Sequence, residues 1–158
     1  MIIIDGHNLL YSIVPPGHQA EPMTDLQICW IISRYLKAIG DKGEIIFDGT
    51  GPRDKSGFDN IANLEVFFAG LGTDADTVIE NKIKASSAPR RLSIVSSDRR
   101  LRDAARARKA TAVKSEVFWD NLQKQLRRKK PLKEPEAKRS GLTESETKQW
   151  LEFFGIEQ

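Results

Sequence analysis

The chain has 158 residues, 39% hydrophobic and 30% charged, with a formal net charge of +3 and a pI of about 9.0. Its one cysteine, Cys29, excludes an intramolecular disulfide and a cysteine-based zinc site, and no apolar run is long enough to span a membrane. These values describe one soluble globular domain, expected in the cytoplasm, whose mild basic excess matters by its location rather than its sum.

In chain order, MIIIDGHNLL opens with an apolar run, Ile2–Ile4, that reads as a buried strand ending in Asp5. Met1 enters that strand directly, so no signal peptide is expected. Residues 14–22 (VPPGHQAEP) read as a loop. Thr24 and Asp25 start a helix with Leu26, Cys29, Trp30, Ile32 and Leu36 on its apolar side, ending near Gly40. Strands follow at Glu44–Phe47 and Leu64–Phe68, joined by a Gly-rich polar connection with at most one short helix. Ala75 to about Ser86 carries Val78, Ile79 and Ile83 at helical spacing. Leu92–Val95 is the fourth strand, Arg99–Lys109 a helix, Thr111–Val113 the fifth strand. Ser115 caps a last helix that runs to about Arg128. Alternating strands and helices predict an α/β fold: a mainly parallel sheet of about five strands, covered on both faces. The domain is expected over residues 1–126, a flexible basic linker over 127–141, and an amphipathic helix over 142–158, opened by the capping box of Thr143 and Glu146.

The acids fall in one kind of place. Asp5 ends the first strand, Asp48 follows Phe47, Asp74 and Asp76 follow the third strand, and Asp98 lies three residues past Val95. In an open parallel sheet those strand ends share one edge, where ligand crevices form. Two like charges about 4 Å apart repel by roughly 4 kcal/mol at an effective dielectric of ~20. Such a cluster calls for protons, arginines or a metal, and hard oxygen donors favour Mg²⁺ or Mn²⁺. Capping is the competing explanation. It suits Asp98 before a helix, and for Asp74 it is preferred over metal binding. It suits Asp5 and Asp48 less, because Gly6 and Gly49 follow and no helix is expected there. Asn8 either orients Asp5, touches a phosphate or shapes a turn. Ser96 and Ser97 either bond the carboxylates or satisfy loop backbone. His7 reads as a turn residue rather than a base. A dinucleotide fold is disfavoured, since DGHN stands where a Gly-rich phosphate loop would be.

IIIDGHN, IIFDG, GTDADTVIE and LSIVSSDRRLRDAAR, in this order, resemble the YacP-like branch of the NYN domain, within the PIN-like nucleases. The resemblance covers roughly residues 1–122. It implies a PIN-like three-layer α/β/α fold and metal-dependent endoribonuclease activity in RNA processing or decay, leaving 5′-phosphate and 3′-hydroxyl ends. It implies that Asp5, Asp48, Asp76 and Asp98 are the catalytic, metal-binding acids, with Asn8, Asp74 and Ser97 secondary. The competing function is an RNA-binding or ribosome-associated module with little catalysis.

Arg90, Arg91, Arg99, Arg100, Arg102, Arg106, Arg108 and Lys109 surround the fourth strand and its helix. Arg99, Arg100 and Arg102, extended by Arg53, are the candidate RNA-binding residues. No stacking aromatics are evident there, which predicts recognition of the backbone with little sequence preference. The basic linker is either an RNA-tracking segment or a soluble tether. The tail helix, with Trp150 and Phe154, either folds back or docks on a protein partner or second copy.

Overall fold

The structure, a computed structural model, describes residues 1–13 and 23–128. The expected loop at 14–22, most of the basic linker and the C-terminal helix lie outside the described residues. Five strands, β1 (Ile2–Asp5), β2 (Gly43–Phe47), β3 (Leu64–Phe68), β4 (Ser93–Val95) and β5 (Thr111–Val113), form one sheet. All pair in parallel, in the order β3-β2-β1-β4-β5. The five expected strands are therefore present, with ends shifted by at most one residue.

Five helices cover the sheet: α1 (Gly6–Ile13), α2 (Asp25–Ile39), α3 (Ala75–Ala85), α4 (Arg99–Ala107) and α5 (Ser115–Arg128). Strand alternation sorts the core into two layers. Ile2 and Ile4 of β1, Ile45 and Phe47 of β2 and Val95 of β4 pack with Leu9, Ile28, Ile32, Phe118 and Leu122 from α1, α2 and α5. Ile3, Ile46 and Ile94 face the other way, onto Ile79 and Ile83 of α3 and Leu101 and Ala105 of α4. Ile4, Ile45, Ile46 and Phe47 are fully buried, and each such side chain contributes about 1.5–3 kcal/mol. This is the three-layer α/β/α arrangement expected.

Local chemistry fixes most helix ends. Thr24 caps α2 reciprocally: its hydroxyl accepts from the Gln27 amide at 3.1 Å and Gln27 Oε1 accepts from the Thr24 amide at 2.8 Å. Gly40 closes that helix in the left-handed region, at φ 72°. Ser115 is the first residue of α5 rather than its cap; Ser97 Oγ accepts from the Ser115 amide instead, at 3.0 Å. The helix runs to Arg128, as expected, and so takes in the first two residues assigned to the linker.

The main correction is α1. A helix does begin at Gly6, directly from the end of β1. Asp5 serves as its cap, its carboxylate accepting from the Asn8 amide three residues on. The strand therefore turns into a helix with no intervening loop, and the second residue of DGHN has almost no space. A Cβ on Gly6 would lie 2.5 Å from two Phe47 ring carbons and 3.0 Å from the Ile46 carbonyl oxygen. Gly6→Ala is expected to destabilise the fold by about 1–3 kcal/mol through this overpacking. Thermal unfolding followed by circular dichroism checks it; an unchanged midpoint would show that Phe47 moves aside freely.

Candidate active site at the carboxyl edge of the sheet

The strand order places a topological switch point between β1 and β4. From β1 the chain runs outward through β2 to β3, then returns to the other side of β1 for β4 and β5. The helices that follow β1 and β4 leave on opposite faces, so a crevice opens at the carboxyl ends of these two strands. Ile4 pairs with Val95, which sets Asp5 beside Ser96.

Asp5 is only 5% exposed. Ser96 Oγ donates to its Oδ2 at 3.2 Å, and the Asn8 amide donates to the same carboxylate. Burial nevertheless dominates and raises the Asp5 pKa above its ordinary value, with Asp48 and Asp98 adding like-charge repulsion. Asp98 caps α4, its Oδ1 accepting from the Arg100 amide at 2.9 Å. Asp76 stands in the first turn of α3. When protonated, its carboxyl shares a hydrogen bond with Asp98, and it lies within the fields of both Asp5 and Asp98. Desolvation first, then that hydrogen bond and the two charges, raise the Asp76 pKa to about 7; Arg100 opposes the shift. Asp5, Asp76 and Asp98 thus converge from β1, α3 and the start of α4.

Asp48 is near but differently engaged. Its Oδ1 accepts from the Ala75 amide, the first of α3, at 2.7 Å, and its Oδ2 lies 3.8 Å from His7 Nδ1. Asp74 turns to its own helix, accepting from the Thr77 amide at 2.9 Å. Hydrogen bonding to the Thr77 side chain first, and then to this amide, lowers its pKa. An isolated bridge between Gly49 (φ 82°) and Gly70 (φ 89°) ties the loops that carry Asp48 and Asp74. Both turns need the left-handed backbone that glycine adopts without strain.

A family model, the YacP-like NYN domain, matches residues 2–153. The chain belongs to the YacP-like NYN domain family. That family lies within the PIN-like nuclease group. Two crystal structures of Rae1 (YacP) from Bacillus subtilis share the fold of this NYN domain at 17% sequence identity. One superposes with a TM-score of 0.62, covering 81% of this chain and 76% of the other. The second, a tryptophan-to-leucine mutant, gives 0.60 over 80% and 77%. Comparison with curated proteins finds no match.

Around the acids, the NYN domain assigns its polar residues unevenly. Asn8 Oδ1 accepts from the Ser97 amide at 2.9 Å and from Ser115 Oγ at 2.7 Å, so the side chain links α1, the loop after β4 and α5. Ser97 Oγ donates to Glu116 Oε1 at 2.8 Å. The serine that touches Asp5 is Ser96, fully buried. Of the arginines, Arg99, Arg100 and Arg102 lie in the first half of α4, next to Asp98. Arg90 and Arg91 precede β4, and Arg106, Arg108 and Lys109 end α4 or follow it, so these five fall toward the opposite edge of the sheet. Arg53 is exposed in the loop after β2. Arg100 is held by Glu80 in a two-point pair, Nε to Oε2 at 2.8 Å and Nη2 to Oε1 at 2.9 Å. Glu80 lies four residues from Asp76 on the same helix, but its pairing residue is twenty positions away.

The donor set fits a hard divalent cation: carboxylate oxygens, with no sulfur and no imidazole of the described residues between Asp5, Asp76 and Asp98. Among the described residues no three acidic, His or Cys side chains form a ready-made metal cage. Mg²⁺ needs one or two protein carboxylates and completes its shell with water.

The raised Asp76 pKa has a measurable consequence. The ordinary value is 3.8 and the folded value about 7. Between them the folded chain holds a proton that the unfolded chain has lost. The stability that protonated Asp76 contributes is complete below about pH 4 and is lost as pH rises to about 7. With metal chelated, Asp76→Asn is expected to flatten this loss. It should leave the variant more stable above pH ~7, by on the order of 1 kcal/mol after solvent screening. Melting curves across that range decide it; parallel profiles for the two proteins would exclude Asp76 as the titrating group.

Proposed function

We propose that this NYN domain is a divalent-metal-dependent endoribonuclease that hydrolyses RNA phosphodiester bonds in RNA processing or decay. The observation that carries the reading is the convergence of Asp5, Asp76 and Asp98 at the switch point of the sheet, with the Asp76 pKa raised to about 7. Membership of a nuclease family gives that convergence its chemistry.

In this reading Asp5, Asp76 and Asp98 hold a Mg²⁺ or Mn²⁺ ion, with Asp48 at the margin. The bound ion supplies charge to a phosphoryl oxygen and acidity to a water. The chain's own residues prepare the place. Ser96 and the Asn8 amide fix the Asp5 carboxylate, and burial keeps its orientation single. The Arg100 amide holds one oxygen of Asp98. Asp76 must release its proton to accept a cation, so affinity for the ion rises with pH through about 7. Arg99, Arg102 and Arg53 supply positive charge for the RNA backbone. Asn8 and Ser97 act behind the acids, by joining α1, the loop after β4 and α5. Asp74 acts by capping α3. No helix among the described residues is long and apolar enough to cross a membrane. The basic linker and the tail helix are the segments proposed to meet a ribosome, a protein partner or a second copy.

A 5′-labelled single-stranded RNA and a structured RNA, incubated with Mg²⁺, Mn²⁺ or EDTA, test the reading. Internal cleavage is expected with metal and not with EDTA, leaving 5′-phosphate and 3′-hydroxyl ends. Asp76→Asn and Asp98→Asn are each expected to lower the rate by at least ~100-fold, on the scale of removing a group that stabilises transition-state charge. Asparagine still caps α4, so the Asp98 variant should fold. RNA retained but uncleaved, with and without ribosomes, would leave an RNA-binding module instead.

A further inference from the structure

Arg100 spends its donors unequally. Its Nε–H and one Nη2–H go to the two oxygens of Glu80, at 2.8 and 2.9 Å, and Nη2 also reaches Thr77 Oγ1 at 3.3 Å. All three bonds run from α4 to α3, so the guanidinium plane is fixed by the neighbouring helix. Nη1 has no hydrogen bond within the described residues, and it lies 3.8 Å from Asp76 Oδ2. Its two N–H groups are therefore presented to the rim of the acid cluster, at a side chain that is 45% exposed. A cation bound there only to neutralise Asp76 would turn its fork toward Asp76. Here the fork is turned to Glu80, and a single nitrogen is left over at the crevice.

We infer that Glu80 is a positioning residue that locks Arg100 so that Nη1 donates to a non-bridging oxygen of an RNA phosphate lying over Asp76. The inference rests on the ribonuclease reading and names one phosphate contact within it. The occupant is a phosphodiester because the donor is cationic, planar and set beside carboxylates that would repel any anion without a metal or a guanidinium in place. Lysine cannot replace this arginine, since an ammonium cannot hold Glu80 with two donors and a phosphate with a third at fixed angles.

The test uses the full chain, a fluorescein-labelled single-stranded RNA and two readouts. The first is binding in EDTA, titrated with salt. Arg100→Ala is expected to weaken binding and to reduce the slope of log affinity against log salt by about 0.7, one phosphate contact on a single strand. Arg100→Lys should keep the slope, because the charge remains. The second readout is metal-dependent cleavage. Arg100→Lys and Glu80→Gln should each lower kcat/KM by about tenfold, the scale of one charge-assisted hydrogen bond. Glu80→Gln should have no further effect in the Arg100→Ala background, since Glu80 acts through Arg100. Melting curves verify that each variant is folded. An unchanged salt slope in Arg100→Ala, or an equal effect of Glu80→Gln in both backgrounds, would overturn the inference and leave the pair as a strut between helices. Binding that depends on Arg100 without any cleavage would sink the nuclease reading while keeping the phosphate contact. Wild-type protein that neither binds nor cleaves RNA overturns both.

Discussion

Everything at the carboxyl edge depends on one buried carboxylate. Asp5 ends the central strand of the sheet, with β2 on one side and β4 on the other. A carboxylate in that place is tolerated only with donors around it. The Asn8 amide and Ser96 hydroxyl supply two. Supplying the first of them requires a helix to begin at once, which draws the backbone at Gly6 against the Phe47 ring. The second requires β4 to lie next to β1, which the strand order provides. Sheet topology, the glycine of DGHN and the serine after β4 thus serve a single anion.

Repulsion between the acids is offset by the same means. Asp5 caps α1, Asp48 and Asp74 accept from the first turn of α3, and Asp98 caps α4. Three helix N-termini, each with partial positive charge, are aimed at one edge. Capping and site-building are not alternatives here. A carboxylate has two oxygens with about four acceptor positions, so one oxygen can hold an amide while the other faces the crevice. Asp76 is the member without an amide of its own among these contacts, and it is the one whose pKa climbs furthest. The fold stabilises four negative charges locally and leaves the fifth in the field of the others.

Much of this was legible in the sequence. Five short apolar runs, four of them followed by aspartate, define the sheet and its acidic edge, because strand periodicity and burial are strong local signals. Helix α1 was not legible. Gly6, His7 and Asn8 carry turn character, and only the tertiary clash at Phe47 explains why glycine stands in a helix's first turn. Ser97 looked equivalent to Ser96, yet strand alternation sends one to Asp5 and the other to Glu116 and α5. The Glu80–Arg100 pair joins two helices across twenty residues, beyond any local pattern. The linker and tail helix read from composition lie outside the described residues, so their roles stand as proposals.

The arginines show why counting charge along a chain misplaces it. The basic cluster around β4 reads as one rim, but a parallel sheet separates the two ends of each strand and helix. Arg90, Arg91, Arg106, Arg108 and Lys109 fall toward the amino edge, and Arg108 is engaged there with the Ser86 carbonyl at 2.8 Å. Arg106 is paired with Asp103 at 3.6 Å. What borders the acids is the first turn of α4, where Arg99 is exposed, Arg100 is braced by Glu80, and Arg102 buries one guanidinium nitrogen without a partner within the described residues. Among the described residues, a polyanion approaching this edge would meet few cations, each in a different state of commitment. Affinity for an RNA backbone would then come mainly from placed donors and a metal, not from a broad positive field. In the proposed function, the geometry of single guanidinium groups, more than the net charge of +3, would set how RNA sits over Asp5, Asp76 and Asp98.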